Sequence, residues 1–147
     1  MDSADWLPNA YVDSKGNKLD KSCVTGYKVI LVLHTADWWP GCKPFKANLK
    51  KFYETWNAGG VKNLQVITIS ADSDEGGFNR SMADMPWVAL PLGSDEASKL
   101  DSKVPCTGYP TPGVINGETG AVINPDVFGK VNADSFSQWT KWWCPRS

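Results

Sequence analysis

The sequence predicts a single α/β domain over residues 1–147, a mixed central sheet flanked by helices with an N-terminal hairpin or arm. Three observations carry this. Residues 27–33 (Tyr-Lys-Val-Ile-Leu-Val-Leu) and 64–70 (Leu-Gln-Val-Ile-Thr-Ile-Ser) are apolar, β-branched runs that suit strands buried on both faces. Segments with apolar residues at helical spacing follow each run. The chain has 147 residues, 41% hydrophobic and 21% charged, enough for one domain to bury roughly two-thirds of its unfolded surface.

In chain order, Ser14-Lys15-Gly16-Asn17 reads as a turn between Tyr11-Val12 and Lys18-Leu19. Residues 37–41 (Asp-Trp-Trp-Pro-Gly) break the first buried strand. A helix follows, with Phe45, Leu49, Phe52, Tyr53 and Trp56 on one face. Lys43, Lys46 and Lys50 share another face, read as solvated, and Gly59-Gly60 ends the helix. After the second strand, Asp72 to Asp74 offers a helix start with Phe78, Met82 and Met85 as its apolar stripe. Residues 86–91 (Pro-Trp-Val-Ala-Leu-Pro) form a short segment closed by proline at both ends. Ser94-Asp95-Glu96 opens a helix reaching Lys103, acidic residues first, as the macrodipole prefers. Val114-Ile115 and residues 121–123 flank a turn from Asn116 to Gly120, a hairpin signal. Pro112 lacks a ladder donor, so the start of that strand is expected to be irregular. Residues 134–143 read as a closing helix with Phe136, Trp139 and Trp142 or Trp143 inward.

The formal net charge of −1 gives no basic footprint, so no nucleic-acid partner is expected. No apolar run approaches the ~18–20 residues of a membrane span, and no insertion is expected. The acidic start, Met-Asp-Ser-Ala-Asp-Trp, shows no leader pattern. The expected location is therefore intracellular and cytoplasmic, a cilium, flagellum or mitochondrion being the other compartments considered. The cysteines, Cys23, Cys42, Cys106 and Cys144, are far apart and form no CxxC pair, and His34 is the sole histidine. That spacing argues against a zinc site, and no metal or cofactor is expected. The default, for at least three of the four, is unpaired, mostly buried thiols in a reducing compartment.

Three segments point to a family. Residues 35–53 contain Trp38-Trp39-Pro40-Gly41-Cys42 followed by Phe45, Leu49 and Phe52-Tyr53. Residues 69–72 (Ile-Ser-Ala-Asp) precede Phe78 and then Met85-Pro86-Trp87-Val88-Ala89-Leu90-Pro91. Gly108-Tyr109-Pro110-Thr111 completes the set. Together they resemble the active-site segment, the Met-Pro-Trp signature and the cis-proline loop of tryparedoxins and nucleoredoxins, over roughly residues 10–130. The resemblance implies a thioredoxin-like fold, which the order β-α-β-α then β-β-α also suits. It further implies thiol–disulfide oxidoreduction as the family activity. Trp38, Trp56 and Trp87 fall on family core or site-wall positions.

The departure lies at Trp39, where the family carries its nucleophilic cysteine. Disulfide exchange needs a thiolate to attack and a second thiol to resolve the mixed disulfide. An indole does neither. Cys42, the surviving motif cysteine, holds the place of the family's shielded thiol. Burial raises a thiol's pKa from ~8.5 and leaves at most a few per cent thiolate at neutral pH. Leu33, six residues before Trp39, stands where thioredoxins commonly carry a buried proton-handling Asp. Cys106 is four residues before Pro110 and is the other candidate thiol. Pairing with Cys42 requires Cα atoms within about 7 Å, and the alternative is two separate thiols. Cys23 and Cys144 receive no chemistry.

These readings lean away from an enzyme. The expected function is a degenerate tryparedoxin-like domain serving as a structural or protein-interaction subunit of a larger assembly. Trp39, normally at the exposed point of the site, would cap the old groove or anchor a protein partner. Tyr109, Pro110 and Thr111 are the other candidate binding residues, since the resemblance implies that this loop presents backbone groups to an extended substrate. The alternatives are a residual oxidoreductase using Cys42, with or without Cys106, and a non-catalytic peptide or thiol binder acting through Pro110.

Overall fold

A computed structural model describes residues 7–35, 42–60, 63–70, 74–82, 85–91, 96–105, 111–117 and 120–124. Their strands are β1 (Ala10–Val12), β2 (Lys18–Asp20), β3 (Val29–Thr35), β4 (Leu64–Ser70), β5 (Val88–Ala89), β6 (Thr111–Asn116) and β7 (Val122–Asn124). The helices are α1 (Cys42–Trp56), α2 (Glu75–Met82) and α3 (Ala97–Asp101). All seven strands join one mixed sheet in the order β2-β1-β5-β4-β3-β6-β7. β3 pairs in parallel with β4 and antiparallel with β6, and β4 pairs in parallel with β5.

β3 is buried at all seven positions, as its unbroken apolar run requires. Its alternating side chains divide the core. Val29, Leu31 and Leu33 join a cluster with Leu49, Phe52 and Trp56 of α1 and Phe78 and Met82 of α2. Ile30 and Val32 join a cluster on the other face with Leu7, Tyr11, Leu100 and Val104. The predicted strand began two residues earlier, at Tyr27. The ladder instead runs on through His34 and Thr35, both paired with β4, and His34 also with β6.

The expected hairpin is present as β1 and β2, and the Asp13 carboxylate closes its turn by accepting from the backbone N–H groups of Lys15 (2.8 Å) and Asn17 (3.0 Å). In α1, Phe45, Leu49, Phe52 and Trp56 are buried as the spacing predicts. Lys46 corrects the solvated-face reading, being only 5% exposed. It lies three residues before Leu49 and seven before Tyr53, a spacing that sets it at the margin of the apolar stripe, where a long aliphatic stem can be covered. Beyond Trp56 the chain turns at Gly59, whose φ of 82° is a left-handed value that favours glycine. Asp74 caps α2 by accepting from the Gly77 N–H at 2.8 Å.

Two further expectations are corrected. Pro112 does not disturb β6, which keeps continuous register with β3 from Val29↔Asn116 to His34↔Thr111. The Gly117 N–H donates to the Lys28 carbonyl at 2.9 Å, which makes 28/117 a hydrogen-bonded pair. Alternation then makes Leu33/Pro112 a non-hydrogen-bonded pair. The amide that Pro112 lacks would face away from β3, beyond the stretch where β7 meets β6 at Val114 and Ile115. α3 is also shorter than predicted. Glu96 stands at its N-cap but makes no side-chain cap there. Its carboxylate instead accepts from the backbone N–H groups of Asn9 (2.9 Å) and Ala10 (3.2 Å), which fastens the N-terminal arm. The predicted helix over 134–143 lies outside the described residues.

Two variants test these contacts. A Cβ at Gly117 would sit 2.2 Å from the Tyr27 carbonyl oxygen, so Gly117→Ala should cost about 2 kcal/mol in urea unfolding. The Asn9 N–H, then the Ala10 N–H and Lys99, hold the Glu96 carboxyl below its ordinary range, against desolvation. That stabilisation is complete above the ordinary value of 4.5 and is lost as pH falls through the lowered folded value. Glu96→Gln should therefore unfold at lower urea at neutral pH and show a shallower acid limb of stability.

Candidate functional site

The site predicted from sequence lies where the central strand ends. β3 finishes at Thr35, α1 begins at Cys42, and residues 36–41 join them. β6 begins at Thr111, directly after the segment 106–110. Thr111 pairs with His34 across the ladder. The segments 36–41 and 106–110 thus spring from neighbouring points at one end of the sheet, where open α/β sheets place their ligands.

Trp38, Trp39, Pro40 and Gly41 lie outside the described residues, as do Cys106, Tyr109 and Pro110. Cys42 is the first residue of α1, at the end whose unpaired N–H groups favour an anion. Thr111 is buried, at 2% exposure. Leu33 is wholly buried in the α1-side cluster, so the position associated with a buried acid is apolar here.

A buried histidine, which sequence reasoning left without a role, ties the frame together. The His34 Nε2–H donates to the Val104 carbonyl at 2.7 Å, and Asp101 Oδ1 lies 3.6 Å from the same nitrogen. His34 is 4% exposed and Val104 is fully buried. The bond joins the end of β3 to the chain just before segment 106–110. A histidine at the end of an otherwise aliphatic strand was the available signal.

Cys23 lies apart from this frame. Burial, aided by the nearby Asp20 charge, pushes its thiol up to about 11, so it stays protonated at neutral pH. The Gln65 Nε2–H donates to its carbonyl at 2.7 Å, while the Tyr53 hydroxyl donates to Gln65 Oε1 at 3.3 Å. Trp87 of the Met-Pro-Trp run is buried and packs edge-on against Tyr53, with ring centroids 5.7 Å apart. Trp56 is buried and stacks on Phe52 at 5.1 Å. Among the described residues, no three His, Cys, Asp or Glu side chains could hold a metal ion, and no helix is long and apolar enough to cross a membrane.

This geometry agrees with comparisons to known proteins. The model of a family described as thioredoxin-like matches residues 26–122. The chain is 32% identical over 133 residues to tryparedoxin from Trypanosoma brucei brucei, covering 89% of this chain and 90% of that protein. It belongs to the thioredoxin-like family. Nucleoredoxin from Bos taurus is 34% identical over 112 residues, which are 75% of this chain but 25% of that protein. This thioredoxin-like chain thus spans nearly all of a tryparedoxin and about a quarter of a nucleoredoxin. Among solved structures, tryparedoxin from Trypanosoma brucei superposes with a TM-score of 0.77 at 28% identity, covering 95% of this chain and 97% of the other. Tryparedoxin I from Crithidia fasciculata gives 0.76 at 25% identity, covering 92% and 94%.

The His34 bond is open to direct test. His34→Leu fills the site with an apolar side chain but leaves the buried Val104 carbonyl without its donor, which should cost about 1–3 kcal/mol. Urea unfolding measures the loss. Amide exchange should accelerate first in α3 and at the start of β6.

Proposed function

We propose that this chain is a tryparedoxin-like domain that has lost the dithiol cycle and acts as a structural or protein-interaction subunit of a larger assembly. Trp39 carries this reading, because it stands where the family's attacking cysteine belongs. The family members are typically thiol–disulfide oxidoreductases, and their reaction begins with a thiolate at that position. A tryptophan can neither attack a disulfide nor hold a mixed one. Leu33 supports the reading from beneath the site, since it supplies no carboxylate to accept or return a proton.

The scaffold around the substitution supports retention of a binding surface. The end of β3, the start of α1 and the start of β6 keep the arrangement that brackets the family's groove. At such a point an indole offers a large apolar area with a polar N–H, the chemistry enriched at protein interfaces. The partner would present an apolar pocket to Trp39 and extended backbone to the Tyr109–Pro110 segment.

One observation favours a second reading. Cys42 opens α1, where the helix N-terminus stabilises a thiolate. A residual oxidoreductase would use Cys42 as a single attacking thiol, resolved by Cys106 or by a partner's thiol. Disulfide reduction with a dithiol reductant separates the two readings. The interaction reading expects wild-type turnover no faster than Cys42→Ser, and turnover that Cys42→Ser abolishes would overturn it. Trp39→Cys should restore turnover, because it returns a thiol to the attacking position of an otherwise intact frame. Trp39→Ala should lose co-purifying partners retained by wild type.

A further inference from the structure

Away from the motif, the hairpin of β1 and β2 and helix α2 enclose a cleft of about 620 Å³. One part of its lining is apolar, made by Val12, Phe78 and Pro91, with Phe78 8% exposed. Another part is polar and comes from two elements. Lys15 and Lys18 project from the hairpin, while Glu75 and Asn79 lie on α2. All four are exposed, and none makes a side-chain hydrogen bond or contact ion pair among the described residues. Asp13, the carboxylate beside Lys15, is already engaged by the N–H groups of Lys15 and Asn17 and by the Asn17 side chain. Those bonds also fix the turn that carries Lys15.

The volume falls within the roughly 300–1,000 Å³ of small-molecule sites. Charge then selects the occupant. A simple anion would meet Glu75, and a simple cation would meet two lysines. An uncharged apolar molecule would shield four polar side chains from water without pairing them. A zwitterion with an apolar body satisfies every wall at once. We propose that this cleft binds a short peptide with both termini free and an apolar side chain. Its carboxylate is held by Lys15 and Lys18, its ammonium by Glu75 and its apolar side chain by Phe78, Val12 and Pro91. The inference uses no residue of the Trp38–Cys42 motif or of segment 106–110 and stands whether or not the proposed function holds.

The test is an amide-shift titration of the full chain with the dipeptide leucyl-phenylalanine, its C-terminal amide and its N-acetyl form. The free dipeptide should give saturable shifts in residues 14–18 and 75–79. Each derivative should bind about two- to fivefold more weakly, the effect of losing one exposed charge pair. Combined Lys15→Ala and Lys18→Ala should weaken the free dipeptide by a similar factor and leave the C-terminal amide unchanged. Glu75→Gln should weaken the free dipeptide and leave the N-acetyl form unchanged. Equal affinity for all three probes, shifts confined to other residues, or no saturable shift would each overturn the proposal.

Discussion

β3 is the constraint on which the rest of this structure depends. Seven consecutive buried residues carry backbone groups that have no access to water, so neighbouring strands must satisfy them on both sides. β4 does so in parallel and β6 antiparallel. The parallel pairing demands a long crossover, and α1 provides it while burying Phe45, Leu49, Phe52 and Trp56 against the same face. The antiparallel pairing brings β6 back beside the point where β3 ends. The neighbouring origins of segments 36–41 and 106–110 therefore follow from how one buried strand is paired.

Features governed by local pattern were legible in the sequence. The two β-branched runs, the apolar stripe of α1, the Asp74 start of α2 and the hairpin around Gly16 all follow from spacing or turn chemistry over a few residues. Features settled by distant partners were not. Glu96 reads as a helix-start residue, but its carboxylate is taken by Asn9 and Ala10, more than eighty residues earlier. Lys46 reads as solvated because its charge dominates the pattern, yet it is buried in the folded chain. Pro112 reads as a strand breaker, but alternation of the ladder turns its missing amide away from β3. The His34–Val104 bond spans seventy residues, so the lone histidine in an aliphatic strand marks one end of it and nothing local marks the other.

The same separation bears on how such a site could change its chemistry. The contacts that hold β3, α1 and β6 together come from Leu33, Phe45, Leu49, Val114 and the His34–Val104 bond, all outside segment 36–41. On the proposed reading, an indole in place of a thiol in that segment removes the attacking atom and leaves these contacts between described residues in place. A frame that positions a nucleophile can therefore outlast it. A binding function needs the frame and a surface, whereas disulfide exchange also needs a thiolate and a route for its proton. In the function proposed above, Trp39 and Leu33 withdraw these two chemical requirements while the structural ones stay in place.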